Sequence, residues 1–122
     1  MAEDIIKSFR ELIIYKRAFA VSLEVHKLTL DFPKFEQRAL ANDLRRSSKA
    51  ICANIAEGFI RQKYSIAEFG RFLTIAEAAS NETLVWLDYA VNLKYISKGI
   101  YDHLVDEYAT VGAMISKLHR KI

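Results

Sequence analysis

At 122 residues the chain fits one domain of ordinary size spanning 1–122, and a 52% hydrophobic, 27% charged composition with four glycines and one proline describes a compact helical protein. Disordered, collagen-like, propeller and disulfide-stapled classes fall away: Gly and Pro are too few, and Cys52 has no second cysteine to pair with. The longest stretch free of Asp, Glu, Lys and Arg, Tyr108 to Ser116, is far below the roughly 18 apolar residues of a membrane helix. The first seven residues lack an apolar signal core, so a cytoplasmic protein with no membrane contact is expected. The formal charge is +3, from 18 basic and 15 acidic residues, a bias that permits nucleic-acid contact without requiring it.

Ser8 followed by Glu11 has capping-box spacing and predicts the start of a first helix. Leu12, Tyr15, Phe19, Leu23 and Leu28, flanked by Ile14, Ala18 and Val25, recur at three- and four-residue steps and predict its core face up to Leu30. Asp31-Phe32-Pro33 ends it, because the residue before proline is pushed out of helical angles. Proline suits a first helical turn, so a second helix is expected to begin between Pro33 and Glu36 and to run to about Arg61. Its core face is Leu40, Leu44, Ser48, Ile51, Ile55 and Phe59, with Gly58 as a flexible residue near its end. A second capping box, Ser65 to Glu68, opens a third helix to about Leu93. Ser97 is placed to cap a fourth, in which Ile100, Leu104, Tyr108, Val111, Ile115, Leu118 and Ile122 keep the helical rhythm. Lys117, Arg120 and Lys121 suit the negative end of its dipole. Short connections between such helices predict an all-α, antiparallel up-and-down four-helix bundle.

The third helix is apolar over too wide an arc. Phe69, Leu73, Ala76, Ser80, Leu87 and Val91 share one face, while Ile75, Ala79, Glu82, Trp86 and Leu93 form a second stripe beside it. A bundle helix normally buries one stripe, so the second, with Ile75, Ala79, Trp86 and Leu93, is the expected oligomer interface.

Enzyme signatures are missing: there is no glycine-rich phosphate loop, nucleophile elbow, His-Glu-x-x-His or paired cysteine motif, and His103 with Asp106 is a lone reversed pair. No catalytic residue, metal or cofactor is assigned. Cys52 reads as a small buried hydrophobe, and His26 and His119 as solvated surface residues. Two polar groups stand out. Arg46, Asn54, Glu57 and Arg61 flank the apolar face of the second helix, and Arg71 and Glu82 lie on a comparable flank of the third. Buried charges must be paired, so these groups are expected to meet and to fix helix register or a subunit contact, with Glu57 partly or fully buried and paired with an arginine and Asn54 bonded across helices. A hydrolase built on Glu57 and Glu82 is the disfavoured alternative. The second group is basic: Arg38, Arg45, Arg46, Lys49, Arg61 and Lys63 face only Asp43 and Glu57 in that stretch, a net charge of +4. Arg38, Arg45 and Lys49, extended by Arg61 and Lys63, are the candidate phosphate contacts; a merely solvated helix face is the commoner use of such a cluster.

Several segments together resemble the four-helix-bundle family encoded by intervening sequences of bacterial large-subunit ribosomal RNA, also labelled S23 ribosomal proteins. They are Phe9-Arg10-Glu11-Leu12, Phe32-Pro33, Leu44-Arg45-Arg46-Ser47-Ser48, Ala53-Asn54-Ile55-Ala56-Glu57-Gly58, Arg71-Phe72-Leu73, Ser80-Asn81-Glu82-Thr83, Trp86-Leu87 and Tyr95-Ile96-Ser97. Many members have Pro where Cys52 stands and Gly where Ala79 stands. The resemblance implies a ring-like homo-oligomer, most readily a pentamer, with no established enzymatic activity and with RNA as a partner. The accessory variability determinant of diversity-generating retroelements is similar in fold, which adds DNA and a reverse transcriptase to the partners implied. A structural or protein-partner adaptor without nucleic-acid binding is the alternative.

Overall fold

The structure, a computed structural model, describes residues 6–122. These residues form four α-helices and two single 3-10 turns with no strand among them. The helices are α1 (Ile13–Thr29), α2 (Leu40–Arg61), α3 (Ile66–Asn92) and α4 (Lys98–Lys121). Each helix packs against its neighbours in chain order and α1 also closes on α4, which leaves α1 and α3 on one diagonal of the bundle.

Two helix starts are set by short-range capping, as their sequence signals predict. Ser65 Oγ accepts the Glu68 N–H at 3.2 Å and Ser97 Oγ accepts the Ile100 N–H at 3.1 Å. The other two start later than expected. Ser8 Oγ takes the Arg10 N–H at 3.2 Å, and Glu11 turns to the Lys7 N–H at 3.4 Å instead of completing a capping box with Ser8. The chain therefore tightens into a 3-10 turn at Phe9–Glu11, passes through an extended Leu12 and becomes α-helical only at Ile13. Likewise Pro33 is extended, Lys34–Glu36 is a 3-10 turn, and α2 begins at Leu40, where Glu36 Oε1 accepts the Leu40 N–H at 3.3 Å. The intervening residues tie the α1–α2 connection down: Gln37 Nε2 donates to the carbonyls of Thr29 (2.9 Å) and Phe32 (3.0 Å).

The core face expected on α2 is the one found, with Leu40, Leu44, Ser48, Ile51, Ile55 and Phe59 all buried. On α1 the expected face is displaced. Ile14, Ala18, Val21 and Val25 are buried, whereas Phe19 and Leu23 remain 45% and 47% exposed. In this rotation Glu107 on α4 accepts both Arg17 Nε (3.3 Å) and Nη2 (3.2 Å), and His103 Nε2 donates to Glu24 at 2.8 Å. Both α1 stripes are apolar, and the one with the smaller residues lies in the core.

α2 and α3 approach closely at Gly58. A Cβ there would lie 3.0 Å from Phe72 Cβ and 3.1 Å from Phe69 Cδ1. This glycine is a packing residue in a helix that continues to Arg61, not the flexible end residue expected from its position. Ser47 and Thr83 hydroxyls share a buried 2.8 Å hydrogen bond across the same seam. α3 ends in a Schellman motif, with Lys94 at φ 66°, the Tyr95 N–H on the Ala90 carbonyl (2.9 Å) and the Lys94 N–H on the Val91 carbonyl (3.1 Å). Tyr95 then joins the two connections at that end of the bundle: its ring lies 5.3 Å from Phe32 and its hydroxyl donates to Glu36 at 2.8 Å. In the core, the Tyr108 hydroxyl has no hydrogen-bond partner, and burial drives its pKa far above that of an ordinary phenol. No helix among the described residues is long and apolar enough to cross a membrane.

Candidate nucleic-acid and assembly surfaces

The basic face proposed for the second helix does not survive folding intact. Arg45 turns inward. Its Nη1 donates to Thr29 Oγ1 (3.0 Å) and Gln37 Oε1 (3.2 Å), and its Nη2 to the Gln37 carbonyl (2.9 Å), so the guanidinium clamps the α1–α2 connection instead of facing solvent. Three donors in a planar fork meet three oxygens that only the folded connection brings together. Arg61 is also committed: Nε donates to Glu57 at 2.8 Å and Nη1 to Glu68 at 3.4 Å. Lys49 is exposed, with Nζ 3.0 Å from His26 Nδ1. Arg38 and Lys63 are exposed and have no acidic partner among the described residues.

The two polar flanks do not meet as one network, because most of their charges find partners one turn away on their own helix. Arg46 pairs with Asp43 (3.0 Å), Arg71 with Glu68 (3.1 Å) and Glu57 with Arg61 (2.8 Å). Glu57 is half-exposed in that pair, within the partly buried, arginine-paired setting expected of it, whereas Asn54 Nδ2 donates to the carbonyl of its own helix at Ala50 (2.8 Å), not across helices. Glu82 accepts the Trp86 indole N–H at 3.1 Å on the surface of α3. Among the described residues the one ion pair from α2 to α3 runs from Arg61 to Glu68, a carboxylate not singled out among the flank residues. The hydrogen bond from Arg71, helped by the positive charges of Arg71 and Arg61, holds the Glu68 carboxyl below its ordinary pKa. Glu57 and Glu82 therefore sit on different helices with different partners, and no group of three His, Cys, Asp or Glu that could hold a metal occurs among the described residues. Burial pushes the Cys52 thiol up, away from the thiolate that nucleophilic chemistry needs.

Folding gathers charge elsewhere. The end of α4 packs beside the start of α3: His119 and Ile122 line one shallow cavity with Ile66, Ala67, Gly70, Arg71 and Thr74. Leu118 and Ile122 line a second with Ile6, Leu12, Phe59, Gln62 and Phe69. One end of the bundle thus brings Lys63, in the α2–α3 turn, to the same side as Lys117, Arg120 and Lys121, all exposed. In sequence these three look like dipole compensation; the antiparallel order puts them at the same end of the bundle as Lys63.

Two apolar surfaces are left uncovered. On α3, Ala79 belongs to the interior and is 8% exposed, so it drops out of the expected interface stripe. Ile75, Trp86 and Leu93 remain at the surface, joined by Val85 and by Tyr89, whose ring lies 6.0 Å from that of Trp86. The second surface was not anticipated. Between α1 and α2 a cavity of about 340 Å³ opens to solvent, lined by Phe9, Tyr15, Phe19, Ser22 and Leu23 on one side and Lys49, Cys52, Ala53 and Ala56 on the other. Its aromatic wall is continuous, with Phe9 edge-on to Tyr15 at 5.0 Å and Tyr15 stacked on Phe19 at 5.8 Å. The signal for it lay in the surplus apolar stripe of α1 facing the alanines of α2.

No curated protein matches the chain. A solved structure of a protein of unknown function from the S23 ribosomal protein family of Bacteroides thetaiotaomicron superposes with a TM-score of 0.79 at 23% identity, over 88% of this chain and 96% of that one. At that identity the likeness concerns the fold alone. The family model for the 23S rRNA-intervening sequence protein matches residues 10–117, nearly the whole described chain, and the protein belongs to that family.

Proposed function

We propose that the protein is a non-enzymatic, self-associating bundle that contacts nucleic-acid phosphates through its basic end. The observation that carries this reading is the convergence of Lys63 with Lys117, Arg120 and Lys121 at one end of the bundle. Arg38 and Lys49 lie outside that end and contribute general attraction, while Arg45 and Arg61 are held by the fold. One copy offers few charges, but a homo-oligomer repeats the patch and raises the effective concentration of cations along one strand. Family membership favours RNA as the nucleic acid and a ring, a pentamer in the first instance, as the assembly. A reverse transcriptase is the protein partner to test if the gene neighbours one.

Fluorescence anisotropy with a structured RNA at low salt tests the reading. Binding is expected to weaken with salt at a log–log slope of roughly 0.7 to 0.9 per phosphate neutralised. Lys63→Glu with Lys117→Glu and Lys121→Glu is expected to abolish it while leaving the helical content unchanged. Wild-type-like binding by this triple variant removes the basic end from the proposal, and absence of binding to any RNA or DNA leaves the adaptor reading, which the open groove between α1 and α2 supports.

A further inference from the structure

We infer that the α1–α2 groove is the seat for the exposed α3 stripe of a second copy of this chain, an inference that rests on the self-association proposed above. Three observations lead to it. First, the groove and the stripe are separate on the protomer: α1 and α3 sit on one diagonal, and the outer ridge of α2 lies between the two surfaces. No single copy can bring them together.

Second, their shapes are complementary in kind. The groove is concave, walled by Phe19 and Leu23 and floored by Cys52, Ala53 and Ala56. The stripe is convex, with Tyr89 55% exposed between Trp86 and Leu93 on the outward face of a 27-residue helix. Large aromatic and aliphatic groups on one helix meeting small residues on another is the arrangement that ridge-into-groove packing favours.

Third, their charges are opposite. Lys49 lines the groove, and Lys16 and Lys27 are exposed on the same face of α1 as Leu23. On α3, by contrast, the stripe carries Glu82, and from Phe72 to Asn92 the helix has no lysine or arginine; Glu77 and Asp88 lie on the other flank, where Asp88 accepts the Tyr101 hydroxyl. Glu82 stands one turn from Trp86 and is held by the indole N–H, which places a carboxylate beside the aromatic residues that would enter the groove. Two grooves, or two stripes, would instead set like charges against each other, which disfavours a self-complementary contact. A contact between two different faces propagates from copy to copy and closes into a ring when the rotation allows.

The test uses two variants and their mixture. Phe19→Glu puts a carboxylate in the groove, where it faces apolar side chains and Glu82 of the stripe, and Tyr89→Lys puts an ammonium on the stripe, where it faces the basic rim. Light scattering at micromolar concentration is expected to show the wild type as a multimer and each variant as a 14.0 kDa monomer. Mixing the two variants is expected to restore association, because each supplies the intact face that the other lacks. Multimers of wild-type size for both variants overturn the groove and stripe as the contact while leaving self-association standing. Monomeric variants that stay apart when mixed overturn the pairing of unlike faces. A monomeric wild type overturns self-association itself. Circular dichroism melting checks each fold, and Leu23→Glu with Leu93→Lys repeats the experiment if either first variant unfolds.

Discussion

α2 meets its two neighbours along the bundle in opposite ways. Against α3 the seam is closed by a glycine set under two phenylalanines and by a buried pair of hydroxyls, Ser47 and Thr83. Against α1 the helices are joined at one end by the Arg45 clamp and part around a cavity of about 340 Å³ at their middle. The two seams show how one helix can be fixed by packing on one side and by directional polar bonds on the other. Packing leaves no room for a ligand. A polar clamp at one end of a helix pair holds position while leaving an apolar wall free for something else.

The largest expected effects separate the closed seam from the open one. Ile55 is fully buried, and Ile55→Ala is expected to cost about 2–5 kcal/mol in urea unfolding, the usual range for cavity-forming truncation. Leu23→Ala, on the groove wall, is expected to cost less than about 0.5 kcal/mol when monomer unfolding is measured, as exposed substitutions do. Equal costs would erase the distinction. Gly58→Val probes the close approach directly and is expected to destabilise by about 1–3 kcal/mol through overpacking against Phe69 and Phe72.

Arg45→Ala should loosen the open seam at its clamped end, by about 1.5–3 kcal/mol for hydrogen bonds made by a charged group. Arg45→Lys is not expected to rescue it, since one ammonium cannot reproduce the fork. Hydrogen exchange over residues 29–39 reads the effect where it arises. The smallest effect concerns the Arg61–Glu68–Arg71 cluster. The Glu68 carboxyl titrates below its ordinary value in the folded state. Its contribution is present above the unfolded pKa and is lost as pH falls through the folded one. The cluster is exposed, so the acid limb of a melting-temperature profile should differ only slightly between wild type and Glu68→Gln.

The sequence was most informative where structure is decided within one turn. Ser65 and Ser97 cap because hydroxyl and N–H lie three residues apart, and the α2 core follows from a single narrow apolar stripe. Pro33 misled because the following residues serve long-range partners: Gln37 reaches back to Thr29 and Phe32, and Glu36 is claimed by Leu40 and Tyr95. α1 misled because it has two apolar stripes, and the periodicity of one helix does not say which of them its neighbours bury. The same reason spoiled the charged site. A run of arginines looks free along a chain, yet Arg45 and Arg61 had partners that only the fold supplies, while Lys63 and the last turn of α4 come to one end of the bundle only through the order of the helices.

Trp86 is the only tryptophan in the chain. It is half-buried at the edge of the exposed α3 stripe, with its indole N–H held by Glu82, and none of the core rearrangements considered above displaces it. The protein therefore carries its own optical label on that surface. Intrinsic emission excited at the red edge, where the six tyrosines absorb little, reports whatever covers α3, and a dilution series followed in this way needs no dye, no tag and no second protein.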